Sequence, residues 1–169
     1  MIVNGIDRDY IIHDDENIKG FFGVFRYLSN FEVCDIHFDG DLYGSSEAAY
    51  MAGKTLDPSI REKFQKKTGI TPAEARKLGQ IIQLRDDWND VRYDTMASVV
   101  FDKFYRNKAL REKLLSTGDR YIEETNHWND QFFGVCNGKG KNVLGRILMT
   151  TREFWKEKDK DKVKITELF

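Results

Sequence analysis

Glu47 and Lys54 stand seven positions apart in the run Ser45-Ser46-Glu47-Ala48-Ala49-Tyr50-Met51-Ala52-Gly53-Lys54. On a helix that spacing puts the carboxylate and the amine on one face. The residues between them are small or apolar, so both groups can reach a single cleft, where partial burial raises the pKa of a carboxyl and lowers that of an amine. Such a pair can transfer protons or, through the neutral amine, attack a carbonyl carbon. The same spacing also suits an ordinary solvated ion pair.

Two further stretches carry chemistry-bearing residues. In Leu84-Arg85-Asp86-Asp87-Trp88-Asn89-Asp90 a tryptophan sits where a polar turn becomes a helix. It can anchor a core, or stack on a nucleobase for ~1–3 kcal/mol. The segment from Glu124 to Asn142 crowds Trp128, Asp130, Phe132, Phe133 and several Asn and Gly residues together, a composition commoner in binding loops than in structural ones. Its end, Gly138-Lys139-Gly140-Lys141-Asn142, runs into a helix start, where backbone amides, the helix dipole and two lysines favour an anion such as a phosphate. The spacing is not that of a Walker loop, and a flexible turn is the plain alternative. His13, His37 and His127 are dispersed, no Gly-x-Ser-x-Gly elbow occurs, and Cys34 and Cys136 lack metal or redox spacing. Neither a metal nor a cofactor is expected.

These residues need elements to hold them. Phe21 to Phe25 reads as a first buried strand, and Glu32 to Phe38 alternates, with Cys34, Ile36 and Phe38 on one face. Asp39-Gly40 supplies a hairpin turn into Leu42 and Tyr43, giving a small N-terminal sheet. Ser45 caps a helix over Ser46 to Gly53, and Asp57-Pro58 opens a second that Gly69 closes. Thr71-Pro72-Ala73-Glu74 is a capping box, with Gly79 as the expected stop. The longest helix spans Asn89 to Tyr105, with Val91, Thr95, Val99, Val100 and Phe104 on one face. Another covers Lys108 to Ser116, and a short strand is expected over Tyr121 to Glu124. A last helix starts near Asn142 with Val143, Leu144, Ile147, Leu148, Thr151 and Trp155 inward.

The expected fold class is α+β, mostly α, as one compact domain over residues 21–155, with an N-terminal extension over 1–20 and a charged tail over 156–169. The apolar share of 40% is that of an ordered globular chain, and the formal charge of -1 excludes a global attraction to nucleic-acid phosphates, so such a substrate would need a local basic patch. No stretch has the ~18 apolar residues of a membrane helix, no basic start precedes an apolar run, and the cytoplasm is the expected location, with oligomeric state undetermined.

In order and spacing, Phe25-Arg26-Tyr27-Leu28-Ser29-Asn30-Phe31, Ser46-Glu47 through Lys54, Pro72 through Gly79, Trp88, Lys103-Phe104, Thr117-Gly118-Asp119 and Trp128 through Met149 resemble the NADAR family. The resemblance implies hydrolysis at an N-glycosidic or ribosylamine carbon. It points to two substrate branches: ADP-ribose on guanine in nucleic acid, and ribosylamino-pyrimidine phosphates of riboflavin synthesis. The Gly134-to-Gly140 run is closer to the first. Carried over by motif, Glu47, Trp88 and Asp130 are active-site residues and Lys54 a candidate nucleophile. Asn30, Gly140 and Asn142, with Trp128, Phe133, Gly138, Lys139 and Lys141, are candidate contacts to base, sugar or phosphate. Ala48 replaces the family's usual His, and Phe132-Phe133-Gly134 its usual Phe-Trp-Gly. Glu47 and Asp130 can divide protonation of the leaving nitrogen and stabilisation of an oxocarbenium-like sugar between them. Alternatively, a neutral Lys54 can trap the opened sugar as a Schiff base. A non-catalytic ADP-ribose or nucleotide-binding module is the competing class.

Overall fold

A computed structural model describes the backbone of residues 2, 3 and 5–166 and the side chains of residues 2 and 5–161. The first twenty residues, polar and mixed in sequence, carry four short strands: β1 (Ile2–Val3), β2 (Ile6–Asp7), β3 (Ile12–His13) and β4 (Asn17–Lys19). β1 pairs with β2 and β3 with β4, both antiparallel. The buried strand expected over Phe21 to Phe25 is absent. Gly20 and Gly23 take φ values of 85° and 55°, which break an extended backbone, and Gly23–Leu28 winds into a 3₁₀ helix that leaves Val24 exposed.

The chain forms two compact units, Ser29–Leu110 and the combination of Met1–Leu28 with Arg111–Phe169. Within Ser29–Leu110, β5 (Val33–Phe38) and β6 (Asp41–Ser45) form the expected hairpin. Asp39 and Gly40 both have positive φ, the twist a two-residue turn needs. Ile36 and Tyr43 are cross-strand partners and both fully buried. Four helices follow: α1 (Ser46–Ala52), α2 (Pro58–Arg61), α3 (Pro72–Ile81) and α4 (Trp88–Arg106). α4 lies on β5, and α1 packs against β6, α3 and α4.

Two helix boundaries differ from expectation. Asp57 and Pro58 do open a helix, but it does not run to Gly69. Gln65 is extended, and two 3₁₀ turns, Glu62–Phe64 and Lys66–Thr68, flank it. The segment has only Ile60 and Phe64 to bury among five charged residues from Arg61 to Lys67, too little apolar surface to hold a continuous helix. Gly79 is not a stop, because α3 continues to Ile81; the glycine is a contact point, since a Cβ there would collide with Met51 of α1.

The chain returns to the other unit through α5 (Lys108–Leu115), and then forms β7 (Tyr121–Glu123), β8 (Thr125–Asn126), β9 (Val135–Cys136) and α6 (Val143–Thr166). β4 pairs with β7 in parallel, which sets the fully buried Ile18 and Ile122 side by side. α6 packs on β7 and buries Val143, Leu144, Ile147, Leu148, Thr151 and Trp155. It continues through the charged stretch after Trp155; of the tail assigned to 156–169, residues 167–169 lie outside the described residues. The fold class is α+β and mostly helical. No helix among the described residues is long and apolar enough to cross a membrane.

Candidate active site

Ser45 takes the N-cap of α1, its Oγ accepting from the Ala48 amide at 3.1 Å, and the Asn30 carbonyl accepts from the Glu47 amide at 3.0 Å. Two of the amides that a helix start leaves unpaired are thereby satisfied. Glu47, the second residue of α1, is 7% exposed. Burial pushes its carboxyl up to about 7, against the opposing pull of Arg76 and Lys54. Lys54 follows the C-cap of α1, and its Nζ donates to the Gly79 oxygen of α3 at 3.1 Å. Burial lowers the Lys54 ammonium and Arg76 lowers it further, while Glu47 raises it. A carboxyl that gains or loses its proton near neutrality therefore sits with an amine that is easier than usual to deprotonate.

Arg76 is the residue that motif reading did not single out. It lies on α3 one turn before Gly79, and so on the side of that helix which receives Lys54. The available signal was the spacing of Arg76 and Gly79, obscured by taking Gly79 as a helix end. Trp88, the first residue of α4, is 7% exposed, and its ring centroid lies 5.2 Å from that of Tyr50 on α1. Asn30 points its Nδ2 at Met96 Sδ, 3.4 Å away. Glu47, Lys54, Trp88 and Asn30 thus share the unit Ser29–Leu110; the remaining candidates belong to the other unit.

In that other unit, Asp130 organises its own loop. Its Oδ1 accepts from the amides of Phe132 and Phe133 at 3.0 and 2.9 Å, while the Asn126 side chain clamps the Asp130 amide and carbonyl. Trp128 is 43% exposed, and Phe133 meets Phe132 edge to face. Asn137 and Gly138 both have positive φ and close a tight turn between Cys136 and Lys139. Gly140 has a φ of 154° and lies so close to the Gly134 carbonyl that no Cβ would fit.

The expected backbone cradle for a phosphate at the start of α6 is not formed. The amides of Lys141, Asn142, Val143 and Leu144 donate to the carbonyls of Gln131, Gly134, Phe132 and Phe133. Nor is the Asn142 side chain available. It is 3% exposed, its Oδ1 accepts from the Glu124 amide, and its Nδ2 donates to Tyr121 Oη and the Ile122 carbonyl. Lys139 and Lys141 are exposed, so any anion here meets side-chain charge. Among the described residues, no group of three or more His, Cys, Asp or Glu side chains is arranged to hold a metal ion.

The NADAR domain family matches residues 13–156. This chain belongs to the NADAR family. The riboflavin biosynthesis protein VVA0006 of Vibrio vulnificus is 39% identical over 147 residues, 85% of this chain; the chain spans 37% of that relative's length. The N-glycosidase YbiA of Shigella flexneri serotype 5b is 36% identical over 130 residues, covering 75% of this chain and 79% of the relative. The solution NMR structure of Escherichia coli YbiA superimposes with a TM-score of 0.74 at 30% identity, covering 90% of this chain and 92% of that one. Where this NADAR domain departs from the family pattern at Ala48, the side chain is fully buried, and its amide is the one Ser45 caps.

Proposed function

We propose that the N-glycosyl bond cleaved by this hydrolase joins ribose C1 of ADP-ribose to a guanine of nucleic acid, so that the enzyme reverses ADP-ribosylation of the base in the cytoplasm. The chemistry is carried by the buried Glu47 carboxyl, pushed up to about 7 beside an amine that burial makes easier to deprotonate. Breaking C1–N leaves positive charge on the sugar and an electron pair on nitrogen. Protonated Glu47 supplies the proton to that nitrogen, and water then bonds to C1 and gives its proton back to the Glu47 carboxylate. On the alternative route the neutral Lys54 amine exchanges with the base nitrogen at the ring-opened C1. The base leaves with the proton, and water then releases Lys54 from the imine. In this proposal Trp88, Trp128 and Phe133 offer aromatic surface to the base, Lys139 and Lys141 offer charge to the phosphates, and Asp130 keeps their loop in shape.

The Gly134-to-Gly140 run supports the ADP-ribose branch. A second reading, hydrolysis of ribosylamino-pyrimidine phosphates, is favoured by the riboflavin biosynthesis name of the Vibrio relative. Incubation with ADP-ribosylated guanine DNA and, separately, with ribosylamino-pyrimidine phosphates, followed by mass spectrometry, tests both. Release of ADP-ribose with restored guanine is the expected result. Turnover of the pyrimidine phosphate alone would move the enzyme to the riboflavin branch, and ADP-ribose binding with no product from either would make it a binding module.

A further inference from the structure

Lys103 lies in the last turn of α4 with only 1% of its surface exposed. A buried ammonium is costly unless its donors are met. Its Nζ donates to the main-chain oxygen of Ser29 at 2.9 Å and lies 5.3 Å from the Phe104 ring centroid. The next residue, Asn30, is held at both ends: its side chain meets Met96 Sδ, and its carbonyl accepts the Glu47 amide at 3.0 Å. Met96 and Lys103 are two turns apart on one face of α4. Together they hold a two-residue strap that ends on the backbone of Glu47.

We propose that Lys103 is a positioning residue that fixes the start of α1, and with it the Glu47 carboxyl, through the Ser29–Asn30 backbone. The inference rests on the assignment of proton transfer to Glu47. The charges that act on the Glu47 carboxyl are those of Arg76 and Lys54, so Lys103 works by placement rather than by its field. Ser45 supplies an internal reference, because its cap on the neighbouring Ala48 amide does not pass through the strap.

Amide hydrogen exchange and steady-state kinetics on Lys103→Met and Lys103→Arg test this. In Lys103→Met, protection of the Glu47 amide should fall about tenfold or more while that of Ala48 holds. Its kcat should fall about 10- to 100-fold with KM within about twofold, since a small misplacement of a reacting group is expensive. Lys103→Arg, which keeps a charged donor, should recover most of the Glu47 protection. Unchanged Glu47 protection, or an equal loss at Glu47, Ala48 and the amides of α4, overturns the inference. Should Lys103→Met not fold, Met96→Leu, which removes the sulfur facing Asn30, must lower Glu47 protection selectively or the strap is refuted. Because exchange is read without substrate, failure of the strap is distinguishable from failure of Glu47 as the acid, which would show as full turnover by Glu47→Gln.

Discussion

Lys54 Nζ and the Gly79 carbonyl, 3.1 Å apart, tie the end of α1 to the last turn of α3. The bond is possible because Gly79 has no side chain, which lets Met51 of α1 lie directly on α3. One glycine therefore sets both the separation of the two helices and the direction of the amine.

Gly79→Ala tests that relationship. Alanine favours a helix interior over glycine by ~1 kcal/mol. Its Cβ, however, would lie 2.7 Å from Met51 Cγ and 2.9 Å from Met51 Cβ, atoms too near the backbone to swing away. Overpacking of this kind costs about 1–3 kcal/mol, so urea unfolding should show a net loss of stability, with a fall in kcat as Lys54 loses its partner. A variant more stable than wild type would contradict the close approach.

Glu47→Gln should abolish hydrolysis and should also change how stability depends on pH. The native carboxyl titrates near 7 against 4.5 for the free group, so between those values the folded state holds the extra proton. Stability then falls as pH rises through that window, by up to about 3 kcal/mol for the net effect of burial and the two opposing charges. Gln carries no such penalty. The Tm of Glu47→Gln relative to wild type should therefore climb from pH 4.5 to 7.5, and a flat difference would mean that the carboxyl is not raised.

Lys54→Ala separates the two chemical routes. With substrate and borohydride, a Schiff-base enzyme is trapped as a covalent adduct in wild type and not in the variant, which loses nearly all rate. An electrostatic lysine gives no adduct and costs roughly 10²–10³-fold. Intact-protein mass spectrometry reads the difference.

The loop before α6 divides into structural and ligand-facing residues. Asn142→Ala leaves the Glu124 amide and the Ile122 carbonyl without their buried partner and puts Ala at a φ of 51°, so it should lower stability by about 2–4 kcal/mol. Lys139→Ala with Lys141→Ala should instead leave stability within about 0.5 kcal/mol and weaken ADP-ribose binding more at low salt than at high. Calorimetry of ADP-ribose at two ionic strengths checks it; an unchanged Kd at low salt would remove both lysines from the site.

Asp130→Asn keeps the oxygen that accepts from Phe132 and Phe133 but removes the charge. If the residue only shapes the loop, Asn should retain turnover within about threefold while Ala loses it, because the loop amides are then left unpaired. Loss of turnover in Asn at an unchanged Tm would make the charge itself part of the chemistry.

The amino-acid sequence alone determined the elements whose signals are local. The hairpin over Asp39-Gly40, the Ser45 cap, the capping box at Thr71 and the buried faces of α4 and α6 all follow from turn chemistry or a 3.6-residue period. It also marked Glu47 and Lys54, because a carboxylate and an amine bracketing a small apolar run stand out without knowledge of neighbours. Tertiary structure decided what those groups meet. Arg76 and the Gly79 carbonyl reach the pair from another helix, β4 finds its parallel partner in the distant β7, and Lys103 can be buried because Ser29, seventy-four positions away, offers it an oxygen. Tertiary pairing likewise engaged the α6 amides, which a linear reading leaves open for an anion. How deeply Glu47 is buried, and with it how far its carboxyl is raised, depends on atoms far apart in the chain, which the small apolar run beside it does not specify.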